Sequence, residues 1–267
     1  MPWHLFNRMK VSPKKYLGQH FLIDENIACR IVDAFSPEAD QKALEIGPGT
    51  GVLTRMLLDR YGDNLVMIDI DKESTAYLKK KFPKYSHNIL QGDFLSMSLA
   101  KLHNGPISII GNFPYNISSQ IFFRILENRD SVPLIVGMVQ KEVGERISAG
   151  PGSKTYGILS VLLSAFYDIE YLFTVEPEVF DPPPKVRSSV LRLTRNKTTH
   201  LPCNETFFTR IVKLGFQNRR KTLRNALKSL NLPEEIHTLD ILGKRAEQLS
   251  VEDFTELTEK IESVWKN

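Results

Sequence analysis

Asn112, Phe113, Pro114 and Tyr115 put an amide, a proline-set turn and an aromatic ring into four consecutive residues. The exocyclic amino group of an aromatic base is a poor nucleophile, because its lone pair is delocalised into the ring. An oxygen on the Asn112 side chain and a backbone carbonyl of Phe113 or Pro114 would accept its two hydrogens and favour a tetrahedral nitrogen. Proline fixes the turn that aims its neighbours and carries no N–H to compete. Tyr115 offers a flat face, and a base turned out of its stack is held by aromatic stacking. Phe180, in Val179-Phe180-Asp181-Pro182-Pro183-Pro184-Lys185-Val186, is the candidate second ring, its plainer role being a core or loop-anchoring aromatic. The reaction such a group suits is methyl transfer by in-line displacement, where proximity and alignment carry most of the rate. No metal is expected.

Upstream, the apolar run 43–46 leads into Glu45-x-Gly47-x-Gly49-x-Gly51. Glycines allow a tight turn and a close backbone approach to a ligand. No Gly-Lys-Ser/Thr closes the loop, so it is not a phosphate-cradling P-loop, and Val52 stands where a dinucleotide fingerprint needs its third glycine. The pattern resembles the cofactor loop of class I, Rossmann-like methyltransferases, which hold S-adenosylmethionine across the carboxyl ends of the first strands. Asp69 ends the next apolar run, where a carboxylate could take both hydroxyls of a ribose. Asp71 competes for that role, and Asp69 is favoured. Asp93, in Gln91-Gly92-Asp93-Phe94, could accept from an adenine amino group, although a Gly-Asp turn alone is the plainer reading.

These residues need strands that end together. Apolar runs at 43–46, 65–70, 88–90, 107–111, 134–139, 168–175 and 188–193 alternate with helix-like segments at 25–35, 52–59, 73–80, 118–126 and 156–166. That alternation predicts an α/β fold with a mostly parallel seven-stranded sheet. Asp24 is a ready N-cap for the first helix. After Arg195 the strand pattern stops, 196–204 reads as a polar linker with Pro202, and the remainder is helical with a break at 240–243. The expected organisation is a basic N-terminal arm over 1–15, a catalytic domain over 16–198 and a small all-α domain over 199–267.

Hydrophobic residues make up 42% and charged residues 25%, ordinary globular values, and no apolar run approaches a membrane span. The first fifteen residues carry Arg8, Lys10, Lys14 and Lys15 but no apolar stretch of a secretory signal, so export is not expected. Cys29 and Cys203 fit no disulfide framework or metal spacing, which suits a reducing cytosol. The net charge of +4 is unevenly spread. Arg210, Lys213, Arg219, Arg220, Lys221, Arg224 and Lys228 follow one another with no acid between them, whereas acids dominate from Glu234 onward. The stretch 216–228 reads as a basic helix suited to nucleic-acid phosphates, with Arg219, Arg220, Lys221 and Arg224 as candidate contacts.

Several motifs occur in order: Lys14-Lys15-Tyr16-Leu17-Gly18-Gln19-His20-Phe21-Leu22, the Glu45 to Gly51 loop, Asn112 to Asn116, Phe180 to Val186, and Phe216-Gln217-Asn218-Arg219-Arg220-Lys221-Thr222-Leu223. Together they resemble the ribosomal RNA adenine dimethyltransferases over nearly the whole chain, and within them the bacterial small-subunit branch. The resemblance implies dimethylation of two adjacent adenosines in the terminal hairpin of small-subunit rRNA on an assembling subunit. It implies S-adenosylmethionine contacts at His20, Leu22, Gly47, Asp69, Asp93 and Asn112, joined by Glu45, Gly49 and Gly51 of the loop. The expected partner is the small ribosomal subunit with its rRNA, with no membrane, a cytoplasmic location and a monomeric state. Two positions depart from the family pattern: His20 stands where Asn is usual and Phe113 where Leu is usual. Two rival functions share the fold. One is a large-subunit rRNA adenine dimethyltransferase of the macrolide-resistance type, the other a non-catalytic ribosome-assembly factor.

Overall fold

Residues 11–265 are described by the structure, a computed structural model; the first ten residues of the expected basic arm, with Arg8 and Lys10, lie outside them. Seven strands make one sheet: β1 (Lys42–Ile46), β2 (Leu65–Asp69), β3 (Ile89–Gln91), β4 (Ile107–Asn112), β5 (Leu134–Gln140), β6 (Tyr167–Val175) and β7 (Ser188–Arg195). Their order is β3-β2-β1-β4-β5-β7-β6. β1 runs parallel to β2 and β4, β2 to β3, and β4 to β5. β7 is antiparallel to β5, with Leu134 opposite Thr194 and Gln140 opposite Ser188. The order reverses at β1, and the crevice outside the carboxyl ends at such a switch point is where open α/β sheets bind ligands.

The central strands read as unbroken apolar runs because both of their faces are covered. All of β2 is buried, as are Ala43 to Ile46 of β1. Ile31, Leu57, Leu65, Met67 and Val136 belong to one core cluster, and each such side chain contributes about 1.5–3 kcal/mol on burial. The helices of this region are α1 (Glu25–Asp33), α2 (Val52–Tyr61), α3 (Lys72–Lys81), α4 (Ser118–Glu127) and α5 (Lys141–Ile147). Asp24 caps α1, accepting from the Asn26 and Ile27 amides at 2.8 and 2.9 Å. The sequence pattern placed no helix at α5. Its Gly144 lies against Ser189 of β7 so closely that a Cβ there would collide with the Ser189 hydroxyl. A short antiparallel pair also escaped the pattern: Phe21 faces Asp181 and Leu22 faces Phe180.

The chain divides into two compact units, one of residues up to 144 with 170–195, the other of 145–169 with 196 onward. The end of the strand pattern predicts one edge near residue 200, whereas 145–169, including α6 (Ile158–Ser164), group with the C-terminal helices. Those helices are α7 (Glu205–Gln217), α8 (Leu223–Ala226), α9 (Glu234–His237) and α10 (Val251–Trp265). α7 buries Phe208, Ile211 and Val212, and at Gly215 a Cβ would stand 3.1 Å from both Ala246 and Leu223.

The single basic helix expected over 216–228 is not formed. α7 ends at Gln217. The Leu223 amide then donates to the Lys244 carbonyl at 2.8 Å and Thr222 bridges Arg245, turning the chain before α8 begins. Its basic residues therefore lie on a helix end, a turn and a second short helix. Among the described residues no helix is long and apolar enough to cross a membrane.

Candidate active site

A crevice of about 250 Å³ opens where β1, β2 and β4 end and where the chain leaves β3, and Gly47, Asp69, Asn112 and Asp93 all line it. Gly47, Gly49 and Gly51 each hold a left-handed φ, of 67°, 54° and 81°. Glycine is the residue that takes this conformation without steric cost. The loop is pinned by the Gly47 amide on the Ile68 carbonyl at 2.9 Å and the Gly51 amide on Pro48 at 2.8 Å. A Cβ on Gly47 would sit 3.6 Å from the Asn112 carbonyl oxygen and from Pro114 Cδ, in the space between loop and turn. Gly51 lies on neither side of the crevice; it faces Leu78 and Phe82, so its place is in packing α2 against α3.

Asp69 and Asp71 divide their roles. Asp69 is 7% exposed, accepts from the Gly49 amide at 3.3 Å and the Asp71 amide at 2.8 Å, and lines the crevice. Burial pushes its carboxyl up to about 6, against the pull of those two amides. Asp71 caps α3 by accepting from the Glu73 amide at 3.0 Å, and it also pairs with Lys14 and Gln19. Asp93 accepts from the Leu95 amide at 2.9 Å in a turn after β3. Glu45 and Leu22 line a second, smaller space behind the glycine loop. Glu45 accepts from the Thr54 hydroxyl at 2.7 Å, and its burial raises the carboxyl to about 8.

The turn after β4 presents its acceptors in a defined way. The Asn112 Nδ2 donates to the His20 carbonyl at 2.8 Å, which fixes the amide and leaves Oδ1 without a partner among the described residues. The Pro114 carbonyl accepts from the Ile117 amide at 3.1 Å, and the Phe113 carbonyl takes no hydrogen bond from the described residues. Of the two carbonyls the sequence allowed, that of Phe113 is the free one. The Phe113 side chain turns away from the crevice into the core: it is fully buried, edge-on to Phe122 at 5.8 Å. A Cβ on Gly137 would come within 2.6 Å of that ring, so the larger residue at 113 is housed by a glycine on β5. Tyr115 lines the crevice with its hydroxyl bonded to Ser188, and its burial raises the phenol.

Phe180 does not join Tyr115. It is 2% exposed, belongs to the core and is held by its pairing with Leu22. The plainer of its two sequence readings is the one the packing supports, and the ring beside Tyr115 is that of His20, with centroids 5.3 Å apart and planes at 28°. Several lining residues were not singled out from the sequence: Phe21, Ile70, Leu95 and Asn116. Ile70, 52% exposed between two acids, carried a usable signal, because an apolar side chain at a strand end with nothing to bury it against suggests a ligand face. Asn116 donates to the Tyr16 carbonyl at 3.1 Å and so ties the N-terminal segment to the turn.

In the C-terminal unit Arg219 is engaged internally. It donates to Glu247 at 2.9 Å and to the carbonyls of Ser153, Lys154 and Tyr156. Arg224 donates to the His237 carbonyl at 2.7 Å yet stays exposed, and Arg220 and Lys221 are exposed with side chains that have no protein partner among the described residues.

Sheet order, glycine loop and the acids at the ends of β2 and after β3 define a Rossmann-like methyltransferase of class I. The profile of the family described as ribosomal RNA adenine dimethylase matches residues 11–263, and the chain belongs to that family. It is 56% identical to the ribosomal RNA small subunit methyltransferase A of Cytophaga hutchinsonii over 250 residues, covering 93% of this chain and 97% of that one. The protein of the same name from Flavobacterium johnsoniae is 56% identical over 255 residues, 95% of this chain and 97% of the relative. Among solved structures, a dimethyladenosine transferase from Plasmodium falciparum superposes with a TM-score of 0.79 at 26% identity, over 91% of this chain and 98% of the other. The 23S rRNA methyltransferase ErmE shares the fold, with a TM-score of 0.68 at 24% identity over 90% and 99% of the two chains.

Proposed function

We infer that this protein is an S-adenosylmethionine-dependent rRNA adenine dimethyltransferase acting on the small ribosomal subunit, and that its targets are two adjacent adenosines of the terminal hairpin. The observation that carries the reading is the turn after β4. Asn112 is locked by the His20 carbonyl so that its Oδ1 is free, beside the free Phe113 carbonyl and the Tyr115 ring. Two acceptors and a ring are what an adenine amino group needs to be pyramidalised and aimed.

The residues fit the methyl donor. The space a Cβ on Gly47 would fill lies between loop and turn, and Asp69 and Asp93, which line the same crevice, are the candidate acceptors for a ribose and for an adenine amino group. The donor supplies a methyl on a sulfonium centre; the chain aligns the nitrogen with it and excludes water. Arg220, Lys221 and Arg224 are the candidate phosphate contacts, and Arg219 serves as a strut within its unit. The names of the curated relatives favour small-subunit over large-subunit rRNA, and the retained Asn112, Pro114 and Tyr115 favour turnover over a non-catalytic assembly role. Assembly of the subunit places the enzyme in the cytoplasm.

The test is a transfer assay with labelled methyl donor on unmethylated small subunits, naked rRNA and large-subunit precursors. Label in small-subunit rRNA is expected, and label confined to large-subunit RNA overturns the reading. Asn112→Ala should abolish transfer, a loss on the order of 10²-fold or more for an acceptor used in the transition state, while cofactor binding largely survives. Equal turnover by that variant removes Asn112 from its assigned role.

A further inference from the structure

The His20 ring occupies one face of Tyr115 inside the crevice. It stacks on Tyr115 at 5.3 Å between centroids, and both rings line the one crevice. A base slipped between two rings needs them roughly 7 Å apart, twice the van der Waals separation of carbon atoms. The two rings stand closer than that, so the crevice face of Tyr115 is already covered. The imidazole is also tied down: Nδ1 bonds to the Pro182 carbonyl at 2.7 Å, on the loop that follows Phe180.

Two anchors hold the backbone at this point independently of the ring. The His20 carbonyl receives the Asn112 amide at 2.8 Å, and the next residue, Phe21, pairs with Asp181. Rotation about the His20 side-chain bonds can therefore clear Tyr115 without disturbing the residue that orients Asn112.

We propose that the His20 imidazole is a gate that covers the adenine's stacking place on Tyr115, latched on the Pro182 carbonyl and displaced when the target base enters. This rests on the function proposed above. Admitting the base breaks one ring stack and one hydrogen bond, so the gate lowers affinity for the base and favours a substrate that is also held elsewhere. A loose adenine would be rejected where a base delivered by a bound subunit is accepted.

The test uses a hairpin RNA with 2-aminopurine at a target adenine, whose fluorescence reports stacking, titrated against the full-length protein. His20→Ala should bind the probe on the order of tenfold more tightly than the wild type, the combined worth of an aromatic contact and a neutral hydrogen bond. His20→Phe keeps a ring but cannot reach the latch, and should fall between the two. Unchanged or weaker stacking of the probe in His20→Ala would mean that the imidazole is a fixed wall, and the gate is wrong. If His20→Ala fails to fold, judged by the loss of native far-UV circular dichroism and of a cooperative urea transition, His20→Phe decides alone by the same criterion. Wild-type transfer to small subunits is run alongside: its absence sinks the function, whereas transfer without tighter binding in the variants sinks only the gate.

Discussion

Glu45 shows how a single carboxyl in the glycine loop couples stability to pH. Its folded-state proton is held up to about 8 by burial, with the nearby Asp69 carboxyl adding to the effect and the Thr54 hydroxyl opposing it, whereas an unperturbed glutamate lets go near 4.5. Between those values the folded chain binds more protons than the unfolded one, so stability is greatest at the acid end and declines as pH rises toward 8. Glu45→Gln keeps an acceptor for Thr54 and has no proton to lose. In the cofactor-free protein its urea midpoint should vary less from about pH 5 to about pH 8 than that of the wild type, and parallel declines would refute the assignment. Much of the crevice lining was legible at this scale, because Asn112 to Tyr115, Gly47, Asp69 and Asp93 lie at strand ends and turns that a few neighbouring residues determine. Phe180 was not. Whether an aromatic faces a crevice or a core depends here on its pairing with Leu22, distant in sequence, and no local pattern records that.

At the scale of elements, Phe113, just past the end of β4, packs on Gly137 of β5, the ring resting where a side chain on β5 would be. Gly137→Ala should cost about 1–3 kcal/mol by overpacking. In a Phe113→Leu background the same change should cost less, since the smaller side chain leaves room. Equal costs in a double-mutant cycle, read by denaturant unfolding, would show that the two do not share space. The strands were readable because buried parallel strands are apolar throughout. α5 was hidden by Gly144, which looks like a helix breaker and is required by the approach to Ser189. The basic run 216–228 mimicked one helix; its interruption comes from hydrogen bonds to residues 244 and 245, which only the folded chain supplies.

For the molecule as a whole, a net charge of +4 matters less than which cations are free. Removing one cation that neutralises a phosphate should lower the salt slope of RNA binding by roughly 0.7–1. Arg220→Ala and Lys221→Ala are expected to do so individually. Arg219→Ala should instead loosen residues 152–156, seen as faster amide exchange at Gly152, whose N–H donates to the Glu247 carbonyl at 2.7 Å. A fall in salt slope with Arg219→Ala as large as with its neighbours, and unchanged exchange, would restore it to the RNA surface.

The strand order has a bearing on how the chain is made. Because β7 is inserted between β5 and β6, the penultimate strand to leave the ribosome has no neighbour waiting for it, and the edge of β5 stays bare until Arg195 has emerged. An open, apolar strand edge is a template for pairing with other chains. The nascent protein is therefore most vulnerable to aggregation late in translation, between release of Val175 and of Arg195, and a pause there would be more damaging than one earlier in the message.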